Sequence, residues 1–201
     1  MSGFKIRTDL ALEARESAEE ASEELRGVSV EEVYDEESEV KVTRVIIESK
    51  NSAKILGKPI GTYVTLEAPA MAQPDEEYHK EISAELAKQL KAVIPKIEKE
   101  LSVMIVGLGN RDVTADSLGP NVVDNLLITR HMVKEFGKAA YGREHMPMTS
   151  ALIPGVMAKT GMESAEIIKG VVEKTRPDVV LVVDALAARS TKRLNRTIQI
   201  T

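Results

Sequence analysis

Two aspartates of this chain follow apolar segments in a way that could support acid–base chemistry. Asp116 is joined to the apolar residues 102–106 by a glycine-containing turn, and Asp184 directly follows the apolar residues 179–183. If the two segments are neighbouring parallel strands, about 5 Å apart, both acids lie at the edge where open α/β sheets bind ligands. Two carboxyl groups at close range cannot both ionise cheaply, so one keeps its proton while the other acts as a base. Such a pair can activate water and polarise a carbonyl group.

Each aspartate also has a purely structural interpretation. Asp116 could cap a helix that begins near Pro120, and Asp184 could end its strand in a turn or pair with Arg189. It is the joint placement of the two acids that favours catalysis.

The turn that precedes Asp116 contains Gly107, Gly109 and Asn110. It could cradle a phosphate group at the N-terminus of the following helix, but it has neither the third glycine of a dinucleotide fingerprint nor the Gly-Lys-Ser/Thr of a P-loop. Asn110 could fix the loop through bonds to the backbone or donate to an oxyanion. An alternative function is therefore a non-catalytic α/β module that binds an anion or a nucleotide at residues 107–110.

Several kinds of site are disfavoured by the residues themselves. The chain has no cysteine, and its three histidines, His79, His131 and His145, lack the spacing of metal ligands. No serine lies in a nucleophile elbow. We therefore expect neither a metal nor a cofactor, although carboxylates alone could hold magnesium or calcium.

The composition is that of an ordinary α/β protein. The 201 residues carry a net charge of -5, and no stretch is basic enough to bind nucleic acid directly. No segment approaches the ~20 apolar residues of a membrane helix. The sequence predicts one α/β domain over residues 1–201, cytoplasmic and incomplete at its C-terminus, because residues 196–201 look like the start of another strand.

The elements that must position the two acids can be read from the apolar periodicity. Residues 14–39 are acidic and predict a solvated helix or arm, whereas residues 40–47 and 62–66 alternate as an antiparallel strand pair does. A long helix is expected from Asp75 to Val93.

From residue 102 onward, strands and helices alternate. Strands are expected at 102–106, 151–153 and 179–183, a single helix from Pro120 to a stop at Gly137, and another helix over 163–174. This order predicts a mainly parallel sheet with helices on both faces, plus the small antiparallel pair near the N-terminus.

The chain resembles the germination protease family, which cleaves small acid-soluble spore proteins when bacterial spores germinate. The similarity is carried by residues 6–13 (Ile-Arg-Thr-Asp-Leu-Ala-Leu-Glu), 107–110, 113–120, 153–157 and 183–189. The resemblance implies an aspartic-type endopeptidase of the spore core with Asp116 and Asp184 as catalytic residues. It also implies a homotetramer and a family chain that continues beyond Thr201.

Because the family is made as an inactive precursor that removes its own propeptide, the resemblance also implies a propeptide and processing region within residues 1–13. The processing residues are Arg7, Thr8, Asp9, Leu10, Ala11, Leu12 and Glu13.

A more distant similarity joins the glycine turn and following acid to the hydrogenase maturation endopeptidases. It implies a related phosphorylase/hydrolase-like fold. In that family a histidine joins two acids at a metal, and no histidine here falls at a matching place, which disfavours a metal-dependent mechanism.

Overall fold

The computed structural model describes residues 8–20, 25–36, 38–94, 101–137 and 147–201. The chain divides into two compact units. The first unit comprises Met1–Pro95 and Leu186–Thr201, and the second comprises Lys96–Ala185. Two compact units can belong to one domain, so the expected single domain over residues 1–201 stays a prediction.

The first unit contains a four-stranded antiparallel sheet. Its strands are β1 (Val28–Tyr34), β2 (Lys41–Ile47), β3 (Gly61–Glu67) and β7 (Thr197–Ile200), in the order β1-β2-β3-β7. The predicted antiparallel pairing of β2 and β3 is confirmed.

The balance between the two sheets differs from the expectation. The α/β class and the parallel sheet are confirmed, but the antiparallel sheet has four strands and the parallel one three, so the expectation of a mainly parallel sheet with only a small antiparallel pair is wrong. Residues 28–34 form β1 rather than a helix or arm, because Val28 and Val30 pair with β2 while Glu31 and Glu32 remain exposed at the edge. The strand was not predicted because it lies in an acidic stretch of the sequence, and charged residues are tolerated on an edge strand.

Helices cover both faces of the first sheet. Helices α1 (Ala11–Glu20) and α2 (Lys50–Leu56) pack on one face, in a core of Ala11, Ala18, Val45, Ile47, Leu56 and Tyr63. The other face packs against α3 (Glu76–Val93), through Leu86 and Leu90 on Val64. The predicted α3 is confirmed, and Asp75 caps it by accepting bonds from the N–H groups of Glu77 and Tyr78, both at 3.1 Å. Helix α1 was expected to be solvated, but its first turn is buried because it lies on this core.

The second unit contains a three-stranded parallel sheet. Its strands are β4 (Ser102–Gly107), β5 (Met148–Leu152) and β6 (Val179–Val183), in the order β5-β4-β6. The expected alternation with helices is confirmed by α7 (Ser164–Thr175) between β5 and β6, which follows the single-turn helix α6 (Met157–Thr160). Strand β4 is central and pairs with both neighbours, and five of its six residues, all except Val103, are buried.

The single helix expected after Pro120 is two short helices, α4 (Leu118–Asp124) and α5 (Arg130–Phe136). Between them, the N–H of Thr129 donates to the carbonyl oxygen of Thr149 at 3.0 Å, and the N–H of Thr149 donates to Thr129 Oγ1 at 2.9 Å. Since this pairing with β5 takes the hydrogen bonds that a continuous helix needs, the helix is interrupted there. Gly137 ends α5 as predicted, with φ +70°.

Within the described ranges, no helix is both long and apolar enough to cross a membrane.

Candidate active site

The two candidate acids leave the same edge of the parallel sheet. Strands β4 and β6 are direct neighbours, with Gly107 paired to Val183, which confirms the expected adjacency. Beyond the last pair, the N–H of Leu108 still donates to the carbonyl oxygen of Val183 at 2.8 Å. The turn that leads to Asp116 and the residue Asp184 therefore start from one hydrogen-bonded junction at the carboxyl ends of both strands.

Asp116 is half-buried and closes its own loop. The N–H of Asn110 donates to the carbonyl oxygen of Asp116 at 2.9 Å and to its carboxylate Oδ2 at 2.8 Å. Gly109, at φ +113°, permits this closure, because a side chain there would overlap the carbonyl oxygen of Asp116. The helix-cap interpretation is wrong: the carboxylate folds back onto Asn110, and Ser117 occupies the cap position of α4. Oδ1 of Asp116 has no hydrogen-bond partner among the residues described.

Asp184 is exposed at the end of β6. Its Oδ1 accepts a bond from the N–H of Ala185 at 2.8 Å, which is a local turn contact. The guanidinium of Arg189 donates instead to Ser17 Oγ at 2.7 Å, so it is engaged within its own unit. The second carboxylate oxygen of Asp184 has no partner in the part of the chain that the structure describes.

The loop between Gly109 and Asp116 uses its polar groups internally. Asn110 Oδ1 accepts from the N–H of Asp112 at 3.1 Å, and the carbonyl oxygen of Asn110 accepts from the N–H of Val113 at 3.1 Å. An anion seeking the N–H of Asn110 would have to displace the Asp116 carboxylate, which is itself negative. This geometry disfavours an anion cradle at residues 107–110.

Basic side chains around the loop pair with acids other than the two candidates. Arg111 makes two bonds to the carboxylate of Asp124, at 2.5 and 3.0 Å, and Lys159 pairs with Asp112. The hydrogen bond from Lys159, aided by its charge, lowers the pKa of Asp112. Within the described residues, the loop thus presents Asp116 without a neutralising cation bonded to it.

A metal site has no support among the described residues, where no group of three or more potential ligands could hold an ion. His79 and His131 are exposed, and His79 Nε2 lies 3.1 Å from the carbonyl oxygen of Met71. His145 lies outside the described residues.

A second cluster of carboxylates, in the first unit, surrounds Glu13. Glu13 is fully buried and accepts bonds from Thr8 Oγ1 at 2.5 Å, from the backbone N–H groups of Arg189 and Ser190 at 2.7 and 2.9 Å, and from Arg193 Nη1 at 3.4 Å. Burial acts to raise the pKa of Glu13, but the hydrogen bonds from Thr8, the two N–H groups and Arg193 outweigh it, so the pKa is lowered.

Arg193 binds three carboxylates of this cluster. It holds Glu16 through two bonds, at 2.7 and 2.8 Å, and its Nε donates to Glu67 at 2.7 Å. The hydrogen bonds that Arg193 donates to Glu16 lower the pKa of Glu16 and raise the pKa of Arg193. Sequence analysis missed Arg193, Glu16 and Glu67, because no local pattern links residues so far apart in the chain.

The described part of the expected processing region is tightly bound within the first unit. Asp9 and Ala187 exchange bonds, since the N–H of Asp9 donates to the carbonyl oxygen of Ala187 at 2.8 Å and the N–H of Ala187 donates to Asp9 Oδ2 at 2.9 Å. The N–H of Ala11 donates to Gln199 Oε1, and Lys58 Nζ donates to the carbonyl oxygen of Asp9, each at 2.8 Å. The following residues Leu10, Ala11, Leu12 and Glu13 are buried. Arg7 lies outside the described residues.

The comparisons with known proteins all point to one family. The sequence profile of the germination protease family matches residues 6–201. Germination proteases of Caldanaerobacter subterraneus subsp. tengcongensis, Clostridium tetani and Bacillus mycoides are 45%, 43% and 42% identical to the chain, over 97%, 98% and 100% of its length. The alignments cover 58%, 60% and 54% of those three proteins, so the chain spans little more than half the length of these relatives.

Proposed function

Because the chain belongs to the germination protease family, we propose that it is an endopeptidase of bacterial spores, or the part of one that carries the catalytic acids. Its substrates would be small acid-soluble spore proteins, degraded in the spore core during germination. The observation that carries the proposal is the emergence of Asp116 and Asp184 from one junction of neighbouring strands.

In the proposed mechanism the two carboxyl groups share one proton. The ionised group accepts a proton from water as the water attacks the peptide carbonyl carbon, and the protonated group donates to the carbonyl oxygen. The resulting tetrahedral diol collapses when the newly protonated acid gives its proton to the departing amine and the other carboxylate takes a proton from one of the hydroxyl groups, which returns the pair to its starting state. No covalent intermediate is needed. Each acid has one carboxylate oxygen without a hydrogen-bond partner among the described residues, which supports this role because that oxygen can bind water or substrate.

We also propose that the enzyme is made as a precursor and processed within residues 7–13, and that it assembles as a homotetramer. The contacts of Asp9 and Ala11 bear on the processing step, because cleavage within buried residues 10–13 requires that segment to open first. Release of this segment would then accompany activation.

The proposal is tested by turnover of a purified small acid-soluble spore protein. Asp116→Asn and Asp184→Asn should each lower kcat by about 10²–10⁴-fold, as expected when a proton-transferring group is lost. Asp112→Asn is the matched control, since Asp112 is an exposed acid of the same loop that pairs with Lys159; it should keep kcat within about twofold. Undiminished turnover by both candidate variants, or none by the unmodified chain, would contradict the proposal.

A further inference from the structure

Gly119 lies at the point where the loop of Asp116 meets the strand that leads to Asp184. It is buried in the first turn of α4, against the ends of β4 and β6. A methyl group placed on Gly119 would lie 2.6 Å from the carbonyl oxygen of Val183 and 2.6 Å from the backbone nitrogen of Leu108. It would come closer still to the carbonyl oxygen of Leu108. No side chain can be accommodated without moving backbone.

The contact is reinforced from β4. A methyl group on Gly107, the last residue of that strand, would meet the backbone of Gly119 and approach Val123 Cγ2 at 2.9 Å. Two glycines that face each other therefore let α4 approach the strand ends more closely than side chains allow.

The close approach of α4 to the strand ends affects both acids, because each lies within a few residues of the contact. Asp116 lies in the turn before α4, separated from it by Ser117. Asp184 directly follows Val183, whose carbonyl oxygen a side chain on Gly119 would overlap. That same oxygen accepts the N–H of Leu108 at 2.8 Å. Raising α4 from the junction would carry the Asp116 loop away from the end of β6, where Asp184 stays.

We propose that Gly119 is a positioning residue, whose missing side chain sets the separation of Asp116 and Asp184. This inference rests on the proposed function, because it assigns a distance to the proposed pair. Gly119 does not itself touch the reacting atoms.

The decisive variant is Gly119→Ala. Alanine favours a helix over glycine, so its effect on helix formation alone would be stabilising, and any loss must come from the close approach. We expect kcat to fall by about 10²-fold while KM stays nearly constant, because displacement of a catalytic group by about 1 Å has an effect of this order. The pH range of high kcat should narrow, since acids held farther apart share a proton less effectively.

Two controls separate position from stability. Gly170→Ala changes a helical glycine of α7 with nothing within 4 Å of the added methyl group, and it should leave kcat and the pH profile unchanged. Pro120→Ala removes buried side-chain atoms next to Gly119 in the chain but leaves Gly119 itself unchanged. It should lower the Tm with kcat within about twofold.

A readout independent of activity uses the absence of cysteine from the chain. The double variant Asp116→Cys/Asp184→Cys should be cross-linked rapidly by a short thiol-reactive reagent when residue 119 is glycine, and about tenfold more slowly when it is alanine.

The outcomes distinguish this inference from the proposed function. Turnover that survives Asp116→Asn and Asp184→Asn refutes the function, whereas a folded Gly119→Ala chain with normal kcat, pH profile and cross-linking refutes the positioning role alone. A lower kcat with normal cross-linking and pH profile also refutes it, because the effect is then merely structural. Should Gly119→Ala fail to fold, Gly107→Ala takes its place, because its added methyl group would meet the backbone of Gly119: slower cross-linking of the cysteine pair supports the inference, and an unchanged rate overturns it.

Discussion

The carboxylate of Glu13 in the first unit and those of Asp116 and Asp184 in the second are bound in opposite ways. Glu13 is fully buried and accepts bonds on both oxygens from four donors. Within the described residues, the carboxylates of Asp116 and Asp184 each accept a hydrogen bond from one backbone N–H, on one oxygen only, and Asp184 is exposed. A carboxylate whose acceptor sites are filled holds structure together, while one with an open oxygen can still bind water or substrate.

The largest change in the free energy of unfolding is expected when Arg193, which binds the carboxylate cluster of the first unit, is replaced. Arg193→Met keeps the bulk of the side chain but removes the cation from Glu13, Glu16 and Glu67. Breaking a largely buried ion-pair cluster on one side is expected to lower the free energy of unfolding by about 3–5 kcal/mol. Urea titration followed by circular dichroism measures it. The matched control is Arg15→Met, which removes an exposed i,i+4 pair with Glu19 and should cost about 0.3–0.5 kcal/mol. Equal effects of the two variants would show that the cluster contributes no more to stability than an exposed ion pair does.

A smaller effect is expected from Glu13→Gln, which keeps the shape of the side chain but removes its charge. Charge-assisted bonds to Thr8 and to the N–H groups of Arg189 and Ser190 are lost, so we expect a cost of about 1.5–3 kcal/mol at neutral pH.

The pH dependence of the stability difference between the original chain and Glu13→Gln is an independent test of the lowered pKa of Glu13. The folded-state pKa of Glu13 is lowered, so its contribution is complete above the pKa of the unfolded chain, about 4.3, and is lost as the pH falls through the folded-state value. The difference in unfolding free energy between the original chain and the variant should therefore shrink below about pH 4. A difference that grows on acidification would contradict the assignment.

The smallest stability effects are expected at the candidate catalytic acids. Asp116→Asn retains an oxygen that can accept from Asn110, so it should cost about 0.5–1.5 kcal/mol, and Asp184→Asn should stay within about 0.5 kcal/mol. Thermal unfolding of both variants measures this. If Asp184→Asn proved as destabilising as Glu13→Gln, Asp184 would be structural and the contrast between the two units would fail.

Local sequence patterns were sufficient where an element is defined by its own residues. The apolar runs of β4 and β6 and the capped amphipathic helix α3 were predictable, whereas the adjacency of the two acid-bearing strands was a condition of the argument that strand pairing fulfils. Strand β1 was not, because its glutamates dominate the composition and only pairing with β2 reveals it.

The remaining differences arise from contacts between distant residues. The interruption between α4 and α5 depends on Thr149, which lies beyond the apolar pattern of the helix. The bonds of Glu13 come from residues near the other end of the chain, and the close approach of Gly119 requires β4 and β6 to be paired already. None of these leaves a periodic signal in the sequence.

The fourth strand of the antiparallel sheet has a consequence for biosynthesis. Strand β7 pairs with β3, yet the whole second unit, Lys96–Ala185, is translated between them. The first unit must therefore wait for a distant part of the polypeptide before its sheet can close, which makes its folding slow in comparison with locally connected structure. Residues 8–13 leave the ribosome well before Ala187, Arg193 and Gln199, which bind them. Residues 8–13 thus lack these contacts until residues 187–199 have been synthesised, and only then can the contacts protect the segment from cleavage.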